Sequence, residues 1–283
     1  TCSIVEDILK VDPRVRLLRQ ENCGPYRARI NALQRINTDY FGFVDSDDVV
    51  DSEMYATMIR YAETNQLDVV RCDIRGEETN KEPEFIRGRD EIYEKFVLPK
   101  LVEGRGNALI TDKVYKLKCR PKEFVDLDSR SFEDVVMNMQ FFQVVESYGY
   151  IHKGFYLYIN NPSSTTHNFR PTDLDGFEEV MNVRRVLLDQ FDRKYNEPEY
   201  NLWTITNVRN LATKILYSSR LTLCEKKRYI AQLFKLSKLN DQMPAGLRIV
   251  RFSPLIVVIL FHARLAMGRV VRRGMRKDAL MHI

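Results

Sequence analysis

The chain has 283 residues, 44% of them apolar and 29% charged, the proportions of one large globular domain with an appendage or of two modest ones. That excludes a disordered, collagen-like or coiled-coil bulk, and the longest apolar run, Leu255 to Phe261, is far short of the ~20 residues that span a bilayer. The net charge of +5 is unevenly spread: residues 246–283 hold eight basic side chains and one acid, while residues 1–245 hold 36 basic against 38 acidic, so the body lacks the charge of a nucleic-acid binder.

The first 160 residues alternate short apolar runs with amphipathic stretches. Val15 to Leu18 reads as a brief strand closed by Asn22 and Gly24, and a helix follows from Tyr26 to Ile36. Tyr40 to Val44 suits a buried strand. It ends in Asp45-Ser46-Asp47-Asp48, after which Met54, Met58 and Ala62 form one face of a helix. Leu67 to Cys72 reads as another strand, residues 76–90 as a solvated loop, Glu91 to Leu98 as helix and Thr111 to Lys116 as a short strand or turn. Ser131 to Glu146 is an amphipathic helix and Tyr150 to Ile159 an aromatic strand. Such alternation predicts an α/β fold with a mostly parallel sheet. Beyond Pro171 only helices are expected: Leu174–Phe191, Leu202–Ser218, Cys224–Leu239 and one after Pro254. Three regions follow, 1–169, 170–245 and a basic amphipathic tail, 246–283.

Three carboxylates in four residues after an apolar strand need compensation by a cation or by donors. The carboxyl end of a strand is also where α/β sheets bind ligands. Asp45 and Asp47, two apart, offer hard oxygens to Mg²⁺ or Mn²⁺; the same acids could cap the helix near Asp51. Asp48 reads as an orienting group. Glu133 and Asp134 open the amphipathic helix, where a carboxylate can serve as a general base. Ser131 and Asp134 also approach a capping-box pattern, and spacing alone leaves both roles open.

The ordered set Arg14-Val15-Arg16, Gln20-Glu21-Asn22-Cys23-Gly24-Pro25, Ala28-Arg29 and Asp39 to Asp48 resembles a family 2 glycosyltransferase. Asp68-Val69-Val70, Asp112 to Lys116, Phe132-Glu133-Asp134, Tyr156-Leu157-Tyr158 and Ser163 to Thr166 extend the likeness to about residue 168. The resemblance implies a GT-A fold, here followed by the helical part expected beyond Pro171, a nucleotide-sugar donor with UDP favoured, Mn²⁺ or Mg²⁺, and inverting transfer to an acceptor hydroxyl. It implies Asp134 as catalytic base and Asp47 with Asp45 as metal ligands. Asn22, Gly24, Arg29 and Asp45 would shape the donor pocket, Arg29 near the phosphates. The chain departs from the family pattern at Ile30 and Ala32, where Asn and Gly are usual. The family's opening nucleotide-binding strands have no counterpart ahead of Thr1, which implies an N-terminally truncated domain, either a fragment or a non-catalytic copy.

His167 is a further candidate for the metal or diphosphate, although a loop histidine is ordinarily just solvated. Lys113 matches a family lysine but reads as a surface residue, and Trp203 reads as core. The apolar run 255–261 followed by six basic residues suits an in-plane helix on an anionic membrane surface, or a core helix with a solvated tail. Five scattered cysteines without a Cys-x-x-Cys pair imply neither disulfides nor structural zinc and suit the cytoplasm, where the in-plane reading of the tail would place the protein on the inner face of the membrane. The leading expectation is an enzyme of surface polysaccharide or lipid-linked glycan synthesis. The alternatives are a non-catalytic membrane-surface relic and a nucleotidyltransferase, which uses paired acids and Mg²⁺ equally well.

Overall fold

The computed structural model describes residues 2–76, 78, 81–104, 108–159, 168–191, 197–239 and 250. Contacts divide the chain into two compact units. The first comprises Thr1–Leu101, Gly106–Ile159 and Glu179–Lys194, and the second Val102–Arg105, Asn160–Glu178 and Tyr195–Ile283.

The first unit opens with helix α1 (Cys2–Leu9) and helix α2 (Gly24–Leu33), followed by the short strands β1 (Tyr40–Gly42) and β2 (Val49–Val50). Helix α3 (Met54–Thr64), strands β3 (Val69–Ile74) and β4 (Glu84–Arg87), and helix α4 (Arg89–Ile92) come next. A π-helical stretch, Tyr93–Val102, leads to β5 (Lys113–Lys116), helix α5 (Glu133–Phe141) and β6 (Ser147–Leu157). The sheet runs β1-β5-β3-β6-β2, with β4 also paired to β6. Met54, Met58 and Ala62, spaced by four, put one stripe of α3 on the sheet. There they join Val70, Cys72, Ile74, Val114, Ile151 and Phe155 in one buried cluster.

The α/β class holds, but the expected mostly parallel sheet is corrected. Among the described residues only β3 and β6 pair in parallel; the other four pairings are antiparallel. Strands β1, β3 and β6 do share one direction. The sheet is mixed because β5 inserts between β1 and β3 in the opposite sense, and β2 and β4 run against β6. These inserts span two to four residues, too short for a two-residue periodicity to register. For the same reason β4 lies inside the stretch expected to be loop.

Other boundaries also differ. Val15 to Leu18 is irregular. The predicted helix to Glu146 stops at Phe141, with one 3₁₀ turn, Phe142–Val144, after it. Buried Asp68 explains the stop: its carboxylate accepts the Glu146 N–H at 2.9 Å, while its own N–H donates to Ser147 Oγ at 3.0 Å. These bonds draw residues 146–147 into the sheet. Gly42 sits where a Cβ would stand 2.7 Å from the Tyr55 ring and 3.1 Å from the Lys113 carbonyl, so the strand bearing the acids tolerates no side chain there.

In the second unit, helix α7 (Glu197–Tyr217) and helix α8 (Leu223–Ser237) pack together. Thr222 and Glu225 form a reciprocal capping box at the start of α8. Trp203 is buried as expected and stacks on Phe177 at 6.0 Å. Phe177 belongs to helix α6 (Thr172–Asp189), whose residues from Glu179 onward are part of the first unit. Among the described residues no helix is long and apolar enough to cross a membrane. His167, Ser163 to Thr166 and, apart from Val250, the basic tail lie outside the described residues.

Candidate active site

The site is assembled from three sequence-distant segments. Gly24, at φ +82°, turns the chain into α2 and donates its N–H to Asn22 Oδ1 at 3.3 Å. Pro25 follows in the first helical turn, where its missing N–H is harmless. The side chain of Arg130 lies against Gly24, with its Cγ 3.3 Å from where a Cβ would stand, and its guanidinium donates to the Asn22 carbonyl at 3.2 Å. Arg130 was not foreseen, because an exposed arginine in an irregular segment carries no pattern.

Farther along α2, the half-buried Arg29 joins the other two segments. It donates to Asp45 at 2.8 Å, to Glu133 at 3.2 Å and to Asp134 at 3.1 Å. Its side chain is only 14% exposed. One guanidinium thus holds the acid after β1 beside the two acids that open α5. Three carboxylates around a single cation leave a net negative cluster, the condition that lifts a carboxyl pKa. The pKa of Asp134 is pushed up to about 7, first by burial and next by the Glu133 charge, against the pull of Arg29.

The acidic loop is held from beneath. The Tyr156 hydroxyl donates to Asp48 at 2.6 Å and accepts the Asp45 N–H at 3.3 Å. Asp48 also accepts the Ile159 N–H at 2.9 Å, which makes it the orienting acid. Asp47 is exposed and has no hydrogen-bond partner among the described residues. Its carboxylate is therefore open to solvent. No group of three or more His, Cys, Asp or Glu side chains converges as a metal cage among the described residues. A cation there would depend on Asp47, Asp45 and oxygens from a ligand or water.

The capping-box alternative for Asp134 fails. The residue before α5 is Phe132, in the left-handed region at φ +66°, and no side chain caps the helix. Ser131 instead donates its N–H to Ser129 Oγ at 3.1 Å. Lys113 is the second correction. It is fully buried, pairs with Asp112 at 2.6 Å and lies 5.3 Å from the Phe96 ring centroid. Burial lowers its pKa against the pull of Asp112. A lysine in a four-residue strand shows no sign in sequence of facing inward.

Residues 1–120 match the model for "Glycosyl transferase family 2". "Uncharacterized glycosyltransferase EpsJ" of Bacillus subtilis is 30% identical over 172 residues, covering 58% of this chain and 50% of that protein. "Uncharacterized glycosyltransferase YibD" of Escherichia coli is 41% identical over 61 residues, 22% of this chain and 18% of that one. The chain thus spans about half the length of EpsJ and a smaller share of YibD. The crystal structure of S. aureus TarS 1–349 superposes with a TM-score of 0.50 at 16% identity, over 84% of this chain and 68% of that one. Its likeness is one of fold: a mixed α/β fold of GT-A type with a helical C-terminal part. Asp45 and Asp47 fall inside the matched segment; Glu133 and Asp134 lie beyond it.

Proposed function

We propose that this protein transfers a sugar from a nucleotide-sugar donor, UDP-linked by preference, to an acceptor hydroxyl with inversion, in the making of a cell-surface glycan. The observation that carries this reading is the Arg29 cluster. It brings the acid at the carboxyl end of β1 within one guanidinium of the acids of α5, in a chain whose first 120 residues match the model for glycosyl transferase family 2. Asn22 and Gly24 line the donor side, with Arg29 at the boundary between donor and acceptor. Asp134 takes the proton from the attacking hydroxyl; a pKa near 7 suits that task. Glu133 keeps the cluster anionic. Asp47 and Asp45 would hold Mn²⁺ or Mg²⁺: Asp47 is exposed and Asp45 keeps 42% of its side chain exposed, as a hard cation completing its shell with phosphate oxygens requires. A bound divalent ion supplies charge neutralisation for the departing diphosphate.

Calorimetric titration with UDP and Mn²⁺ tests the donor half. Metal-dependent binding is expected, weakened at least about tenfold in Asp47→Ala, since one of two charged ligands is lost. Equal UDP binding by both proteins, or binding indifferent to Mn²⁺, would remove Asp47 from the metal role.

The three regions 1–169, 170–245 and 246–283 enter this reading as transferase domain, helical region and membrane-surface tail. Co-sedimentation with liposomes containing anionic lipid is expected to fall when residues 246–283 are deleted and when salt is raised. Undiminished binding after the deletion sinks the membrane role of the tail.

A further inference from the structure

We propose that Asn138 is the positioning residue of the candidate base, its carboxamide setting where Asp134 stands. This inference rests on the reading of Asp134 as base. Asn138 lies one turn after Asp134 in α5 and is completely buried. Its Nδ2 donates to three carbonyls: Ala108 at 2.7 Å, Asp134 at 3.1 Å and Leu109 at 3.2 Å. Two hydrogens serve three acceptors, so one bond is shared. Its Oδ1 accepts the Tyr115 hydroxyl at 2.8 Å. One side chain thereby ties the first turn of α5 to β5 and to the 108–109 segment.

The rest of the neighbourhood makes this tie necessary. Helix α5 has nine residues, no side-chain cap and a left-handed phenylalanine at its start, so little local structure fixes its first turn. Asparagine is a poor interior helix residue, and a buried amide costs free energy unless satisfied; here it is satisfied. Its partners are themselves rigid. Tyr115 stacks on Phe41 at 5.2 Å and meets Phe141 at 4.9 Å. Burial pushes its phenol well above 10, which keeps the hydroxyl a donor. Lys113 Nζ, a second buried donor, also reaches the Leu109 carbonyl.

The test compares Asn138→Leu, near in size but without polar atoms, with Tyr115→Phe, which removes only the hydroxyl. Asp134→Asn serves as reference. Turnover of a UDP-sugar with Mn²⁺ is read as separate kcat and KM, and amide exchange is followed peptide by peptide. A base displaced by about 1 Å loses on the order of 100-fold in rate. Asn138→Leu is therefore expected to lower kcat about 100-fold with donor KM within about twofold, and Tyr115→Phe to lower it by less. Exchange should quicken in the first turn of α5 and stay unchanged in α3. If Asn138→Leu does not fold, Tyr115→Phe carries the same comparison. An unchanged kcat where Asp134→Asn abolishes turnover overturns the positioning role; so does faster exchange throughout the sheet with kcat and KM moving together. If Asp134→Asn leaves turnover intact, the base assignment falls and not the tie. If no donor turns over, exchange decides alone: faster only in α5 supports the tie, and unchanged overturns it.

Discussion

Asp134→Asn is expected to abolish most of the transfer, by about 10²- to 10⁴-fold in kcat, the usual worth of a general base. Donor KM should change little, because the proposed donor groups lie on and just before α2 and in the acidic loop. In the wild type, kcat should climb as pH rises through about 7 and then level, since the base acts deprotonated and its pKa sits near 7. Asp134→Asn should lack that limb. Stability carries the opposite sign. The native carboxyl keeps its proton between about pH 4 and about pH 7, where the unfolded one has lost it, so Asp134 makes stability fall as pH rises through that window. Removing the charge should therefore make Asp134→Asn more resistant to urea than the wild type at pH 8, with the gap closing near pH 4. A pH-independent difference would show that the carboxyl is not held high. A kcat within threefold of wild type would take Asp134 out of the chemistry.

Asp112→Ala is expected to be the most damaging single change to stability, at about 3–5 kcal/mol, the cost of breaking a buried pair by removing one partner. Asp112 is fully buried and receives Arg71 Nε at 2.8 Å as well as Lys113 Nζ at 2.6 Å. Its loss leaves two cations without their carboxylate, one completely buried and the other 14% exposed. Lys113→Met should cost far less, because Asp112 keeps Arg71 and an apolar chain of similar length replaces a desolvated ammonium. Glu91→Ala, which breaks the exposed pair with Lys95 on the surface, should cost less than about 0.5 kcal/mol. Urea unfolding of the three variants orders them. If Asp112→Ala and Lys113→Met cost the same, the carboxylate is not the centre of the network.

The acids of the candidate site were legible because their chemistry depends on local spacing. An Asp-x-Asp run after an aromatic strand, and an Glu-Asp pair opening an apolar helix, are patterns that a few neighbouring residues create. The helices of the second half were legible for the same reason: their apolar periodicity runs over 15 to 21 residues. The sequence thus determined which segments become long helices and which carboxylates stand next to a strand or at the head of a helix.

Tertiary structure alone decided how these pieces meet. Arg29 lies 16 residues from Asp45 and more than 100 from Glu133 and Asp134, and no periodicity within α2 announces that it will gather all three. Strand direction within the sheet was likewise decided by insertion: β5 enters between β1 and β3 because Phe41, Tyr115 and Phe141 pack against one another from three segments. The inward turn of Lys113 follows from Asp112 and Arg71 meeting across two strands. Side-chain patterns report local period and polarity, whereas burial and ion pairing depend on which distant segment arrives opposite. A lysine beside an aspartate therefore reads as surface until a second strand closes over it.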